Sequence, residues 1–130
     1  MSVWRRKATE LFNIRFGPTQ HETIYDVFRT LLGLVKEAHN RGDEDQLKKI
    51  YEYAEWCSTQ RADDLRNAAG VSFYEHLVDD EVTYQAILRW IKPTIFSIIK
   101  DLLKWRIKDE TVYRDLVDKF NVINGTSIQY

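Results

Sequence analysis

The sequence predicts an all-α protein: a short HEAT-like stack of antiparallel helix pairs, with an irregular helical bundle as the alternative, of about six or seven helices. Three observations carry this expectation. Apolar residues recur at spacings of three and four through most of the chain. Glycine and proline are scarce, 5 and 2 in 130 residues, which suits long helices with short connections better than a turn-rich β architecture. No pair of alternating apolar runs flanks a tight-turn dipeptide, so no β hairpin is signalled. At this length a single helical domain over 1–130 is expected.

Each helix has its own signal. Val3, Trp4, Ala8, Leu11, Phe12 and Ile14 predict an amphipathic helix over 3–16, ended at Gly17-Pro18 because the residue before a proline is pushed out of the α region. Thr19 with Glu22 has the form of a capping box and predicts a helix from Gln20 to His39, with Ile24, Val27, Phe28, Leu31 and Val35 inward. Gly42 is placed to stop it in the left-handed conformation. Asp43-Glu44-Asp45 opens a third helix, its acids matching the positive end of the dipole, and Leu47, Ile50, Tyr51, Tyr53, Ala54 and Cys57 face the core.

Asp63 or Asp64 is expected to cap a fourth helix, read as continuous from Asp64 to Val78. It is apolar around most of its wheel and small at Ala68, Ala69, Gly70 and Ser72, so it should be buried on more than one side. A helix over about Thr83–Ile91 follows. Pro93 then fits the first turn of a helix to Ile107, where its missing N–H costs nothing. Ile91, Ile95, Ile98, Leu102 and Trp105 fall on one stripe of that segment, widened by Phe96, Ile99 and Leu103. A last helix begins at Asp109 or Thr111, and 121–130 reads as an irregular tail. Residues 20–58 and 61–105 each read as one helix pair.

The formal net charge of −1 argues against attraction to nucleic acid or anionic membrane, despite the basic clusters Arg5-Arg6-Lys7 and Lys100, Lys104, Arg106 and Lys108. Cys57 stands alone, which excludes an internal disulfide and suits a reducing compartment. The basic start lacks a following apolar h-region, and no run is long enough to span a bilayer. A cytoplasmic location without membrane contact is the expectation.

The block Gly42–Leu77 resembles a family of small bacterial all-helical proteins of uncharacterised function. The resemblance rests on the acidic turn Gly42-Asp43-Glu44-Asp45, on the pattern L-x-x-I-x-x-x-x-E at Leu47, Ile50 and Glu55, and on V-x-x-x-E-x-L at Val71, Glu75 and Leu77. It implies a HEAT-like stack, and such proteins look similar to the immunity proteins encoded beside bacterial polymorphic toxins. These motifs serve packing and name no reaction.

No residue pattern here names a catalytic group, a cofactor or a metal. Glu75-His76 is the tempting pair, but neighbours on an α-helix point roughly 100° apart and do not face one pocket. Glu75 is expected instead to accept backbone N–H bonds from a neighbouring helix end. A pocket near Glu75 and His76 is the alternative site. Glu-x-x-His, the spacing a helical metal site needs, does not occur. His21 and His39, near helix ends, read as solvated. Cys57 near a helix C-terminus is in the wrong field to be a thiolate.

The function expected is therefore non-enzymatic protein interaction, of the immunity type that the resemblance implies, with a small helical ligand-binding or enzymatic domain at the Glu75–His76 pocket as the alternative. The acids Asp43, Glu44, Asp45, Asp79, Asp80 and Glu81 would steer a basic protein partner, and Trp56 would serve as an anchor. A homodimer through the apolar face of 93–107 is the other partner expected.

Overall fold

A computed structural model describes residues 2–17 and 23–130. Among them are seven α-helices, one 3-10 helix and no strand, so the chain is all-α as its periodicity demands. Two compact units divide it, Met1–Phe73 and Tyr74–Tyr130.

In the first unit α1 runs Val3–Phe12, with the Ser2 hydroxyl accepting from the Arg5 amide. It stops four residues short of the expectation. Asn13 turns left-handed at φ 56° and returns its amide to Thr9 O, and asparagine tolerates that geometry better than most residues. The second helix, α2, spans Ile24–Arg41 and begins later than Gln20. Thr23 and Asp26 form the capping box, each side chain bonding the other's backbone amide. The expected cap at Thr19 and Glu22 lies outside the described residues, as does His21. Gly42, at φ 67°, ends α2, and Asp43 caps α3 (Glu44–Ser58) through the Gln46 amide at 3.1 Å.

Helix α4 covers Asp63–Ser72, and its N-cap is Ala62, with no side-chain bond. Asp63 and Asp64 therefore sit within the first turn, facing the positive end of the dipole, and Asp64 Oδ1 accepts from the Leu65 amide at 3.0 Å. Helices α2, α3 and α4 pack on one another, and α1 lies against α2 and α3. Buried Ala68, Ala69 and Gly70 let α4 approach its neighbours closely. An aromatic cluster fills the middle: Phe28 lies 5.8 Å from both Tyr53 and Phe73, ring to ring. A fully buried phenylalanine of this kind contributes about 1.5–3 kcal/mol.

The expected continuous helix to Val78 is not formed. At Phe73 the backbone leaves the helix (φ −130°, ψ −73°), and Tyr74–Asp79 is a 3-10 helix. The reason is burial. Phe73 belongs to the first core, whereas Tyr74 and Leu77 are buried in the second unit. At three residues per turn these two eclipse, whereas an α-helix would offset them by about 60°. The second expected helix pair, 61–105, is accordingly divided between the units.

In the second unit the 3-10 helix is followed by α5 (Glu81–Trp90), α6 (Pro93–Ile107) and α7 (Glu110–Asn124). The 3-10 helix packs on α5 and α6, and α7 on both of those helices. Phe96 of α6 and Phe120 of α7 stack 4.0 Å apart at 8°. Helix α7 extends to Asn124, so the irregular tail starts at Gly125 and not at 121.

Candidate functional site

The α2–α3 and α6–α7 hairpins are closed by the same two-residue link. A left-handed residue (Gly42, φ 67°; Lys108, φ 65°) is followed by an aspartate whose carboxylate accepts from the amide three residues on. Glycine takes that backbone freely, but a lysine there is strained. Around Lys108 lies a cleft of about 500 Å³ lined by Asp101, Lys104, Trp105, Lys108, Asp109, Glu110 and Tyr113. Its floor is Tyr113, fully buried, with the Lys104 ammonium 5.5 Å from the ring centroid and 3.9 Å from Glu110. Burial, then the charges of Asp101 and Glu110, push the Tyr113 hydroxyl above its ordinary pKa. At the rim Trp105 is 73% exposed. Among the described residues no ion pair or hydrogen bond engages the side chains of Asp101, Trp105 or Lys108.

Helix α6 thus carries two apolar faces. Ile95, Phe96, Ile99 and Leu103 are buried, whereas Ile98 (63% exposed) and Trp105 point to solvent. The expected stripe of Ile91, Ile95, Ile98, Leu102 and Trp105 is broken up: Ile91 is the buried C-cap of α5, Ile95 is buried, and Ile98 and Trp105 are exposed.

A second cluster lies at the 3-10 helix. Asp79 receives two bonds from Arg106, at 2.9 and 2.8 Å, and its Oδ2 lies 3.0 Å from His76 Nδ1. Arg106, and to a smaller extent His76, hold the Asp79 carboxyl below its usual range. Glu75 is half-buried and raises the Arg106 pKa through its charge, after Asp79. The expected backbone N–H bonds to Glu75 are not made among the described residues. Asp79 is thus a structural clamp. Asp80 and Glu81 are exposed, and Glu81 accepts from the Gln85 amide nitrogen at 2.9 Å.

In the first unit Asp43 is committed to its cap and lies 3.5 Å from Arg41, while Glu44 and Asp45 occupy the exposed first turn of α3. Trp56 is half-buried beside a groove of about 180 Å³ between α1 and α3, with Lys7 Nζ 4.9 Å from its ring. Behind it Cys57 is fully buried, and burial pushes its thiol up to about 12. His39, expected to be solvated, instead shares a 2.8 Å hydrogen bond with the Tyr51 hydroxyl. Among the described residues no three His, Cys, Asp or Glu side chains converge as a metal site would require.

Residues 5–106 match the model of a family described as Domain of unknown function (DUF7674). The chain belongs to this family. No curated protein and no solved structure matches it. The DUF7674 match ends at Arg106, the residue that grips Asp79, so Lys108, Asp109, Glu110 and Tyr113 of the cleft lie beyond it. Among the described residues no helix is long and apolar enough to cross a membrane.

The sequence marks Lys104 and Lys108 as part of a basic cluster and Trp105 as part of the apolar stripe of the same helix, and does not bring them together as one site. The usable signal was the spacing of Asp101, Trp105 and Lys108, an acid, an indole and a base at intervals of four and three on one face.

Proposed function

We propose that this DUF7674 protein acts by binding another protein, as a helical inhibitor of the immunity type. The observation that carries the reading is Trp105, 73% exposed with its indole unpartnered at the rim of a cleft of about 500 Å³. Tryptophan, with tyrosine and arginine, is enriched among the side chains that anchor interfaces. The likeness of Gly42–Leu77 to small immunity-type proteins supports an inhibitory role. Two hairpins closed by the same left-handed–aspartate link support a HEAT-like pairing of helices. Exposed Glu44, Asp45, Asp80 and Glu81 supply negative charge for a basic partner such as a toxin.

The experiment is calorimetric titration of the full chain with the product of the adjacent gene. Wild type should bind, and Trp105→Ala should weaken binding by roughly thirtyfold or more, the loss typical of a tryptophan anchor. Undiminished binding by Trp105→Ala, or no binding by wild type, would sink the reading.

A further inference from the structure

We infer that the α6–α7 corner is also a self-association surface, at which two copies of this chain meet about a two-fold axis through Trp105. The inference rests on the interaction reading above and names one partner for it, a second copy.

Asp101 and Trp105 stand at i and i+4 on α6, Lys108 is its left-handed cap, and all three line the one cleft. Acid, indole, base is the complement of its own reverse. Laid antiparallel, Asp101 of one copy meets Lys108 of the second, the two indoles meet at the axis, and the reciprocal Lys108–Asp101 pair closes the contact. A two-fold interface requires this self-complementarity. Neither charge has a partner within its own chain among the described residues. Lys108 keeps a left-handed backbone at the position where the other hairpin has Gly42. Such strain at a charged, exposed residue points to a task for its side chain. Ile98, one heptad before Trp105 and 63% exposed, lengthens the apolar strip. Helix α6 has 15 residues. Two such helices crossing at their C-terminal halves bury less than the ~1,600 Å² of a standard interface, so the dimer is a weak, concentration-dependent one.

Sedimentation velocity of the full chain over a concentration series tests this. Wild type self-associates. D101K and K108D each set like charges opposite one another twice, and each alone weakens association by about tenfold. Mixed in equal amounts they recover the wild-type level, because acid and base now lie on different chains. W105A weakens every combination by about a hundredfold. K108G raises Tm by relieving the backbone while weakening association, which separates the side chain's task from folding. A mixture of D101K and K108D that associates no better than either alone overturns the inference. So does a wild type that is monomeric at every concentration. If W105A still loses the adjacent gene's product in that case, the interaction reading stands and only self-pairing falls.

Discussion

The Arg106 guanidinium grips the Asp79 carboxylate with two bonds, Nε to Oδ1 at 2.9 Å and Nη2 to Oδ2 at 2.8 Å, fixing the end of α6 to the 3-10 helix. His76 joins from within that helix, its Nδ1 3.0 Å from the same carboxylate. The Arg106 bonds above all, and the His76 hydrogen bond to a smaller extent, favour the ionised acid, so the carboxyl titrates below its ordinary 3.8 in the folded protein.

From this follows a pH dependence of defined sign. The unfolded chain takes up the Asp79 proton at a higher pH than the folded one. The stabilisation is therefore complete above the unfolded value and is lost as pH falls through the lower, folded value. Asp79→Asn should lower Tm by a few degrees at neutral pH and flatten the acid limb of a Tm-against-pH curve. An unchanged acid limb in the variant would show that other carboxylates carry it.

Cys57 offers a second test. Burial dominates its pKa of about 12, and the Tyr53 hydroxyl and Lys7 offset only part of that. At neutral pH the sulfur is almost wholly thiol, and it has no exposed surface. Since the thiolate is the nucleophile, a disulfide reagent should label the native protein only at the rate of local or global opening. Labelling should become immediate in denaturant. Fast native labelling would mean that the α1–α3 face opens readily.

How much of this was legible from residues alone differs by element for physical reasons. Helix α6 was read with its observed ends because Pro93 fixes the first turn and the apolar period is unbroken. The start of α3 is legible at Asp43 and that of α7 at Asp109 or Thr111, and the carboxylates of Asp43 and Asp109 are the ones that cap. The break at Phe73 was not legible. Burial at 65, 68, 69, 73, 74 and 77 looks like one helix buried all round, and only the two cores distinguish Phe73 from Tyr74. The clamp spans 27 residues between Asp79 and Arg106, beyond any local pattern. Trp105 was assigned to an inward stripe because a helical wheel with two apolar faces does not say which one meets the core.

Thr83 is fully buried in α5, and its hydroxyl lies 2.6 Å from Leu77 O in the 3-10 helix and 3.2 Å from Asp80 O at the start of α5. Thr83→Val keeps the shape and removes the donor. The Leu77 carbonyl would then lose that bond, about 1–2 kcal/mol, whereas Asp80 O keeps the Tyr84 amide at 2.8 Å. Urea unfolding monitored by circular dichroism measures the loss, and a neutral Thr83→Val would mean that the Leu77 carbonyl is satisfied without the hydroxyl.

Asn121 holds the tail. Its Nδ2 donates to Ile128 O at 3.0 Å, while its Oδ1 accepts from the Ile128 amide at 2.9 Å and the Thr126 hydroxyl at 2.8 Å. Lys100 reaches Gln129 O, and the Tyr130 hydroxyl donates to Asp118 with Arg114 over its ring at 4.5 Å. Through Tyr113, whose hydroxyl is 3.5 Å from Tyr130 O, this strap touches the floor of the α6–α7 cleft. Asn121→Ala removes three bonds at once without disturbing a helix-interior apolar contact. Amide exchange should accelerate over 125–130 while α7 stays protected. Asn121→Asp keeps the acceptor and loses the donor, so its tail should exchange at an intermediate rate. If Asn121→Ala leaves tail exchange as slow as in wild type, the strap is held by Lys100 and Tyr130 alone. If the tail loosens, the cleft floor should loosen with it, and Trp105→Ala and Asn121→Ala should weaken partner binding in the same direction.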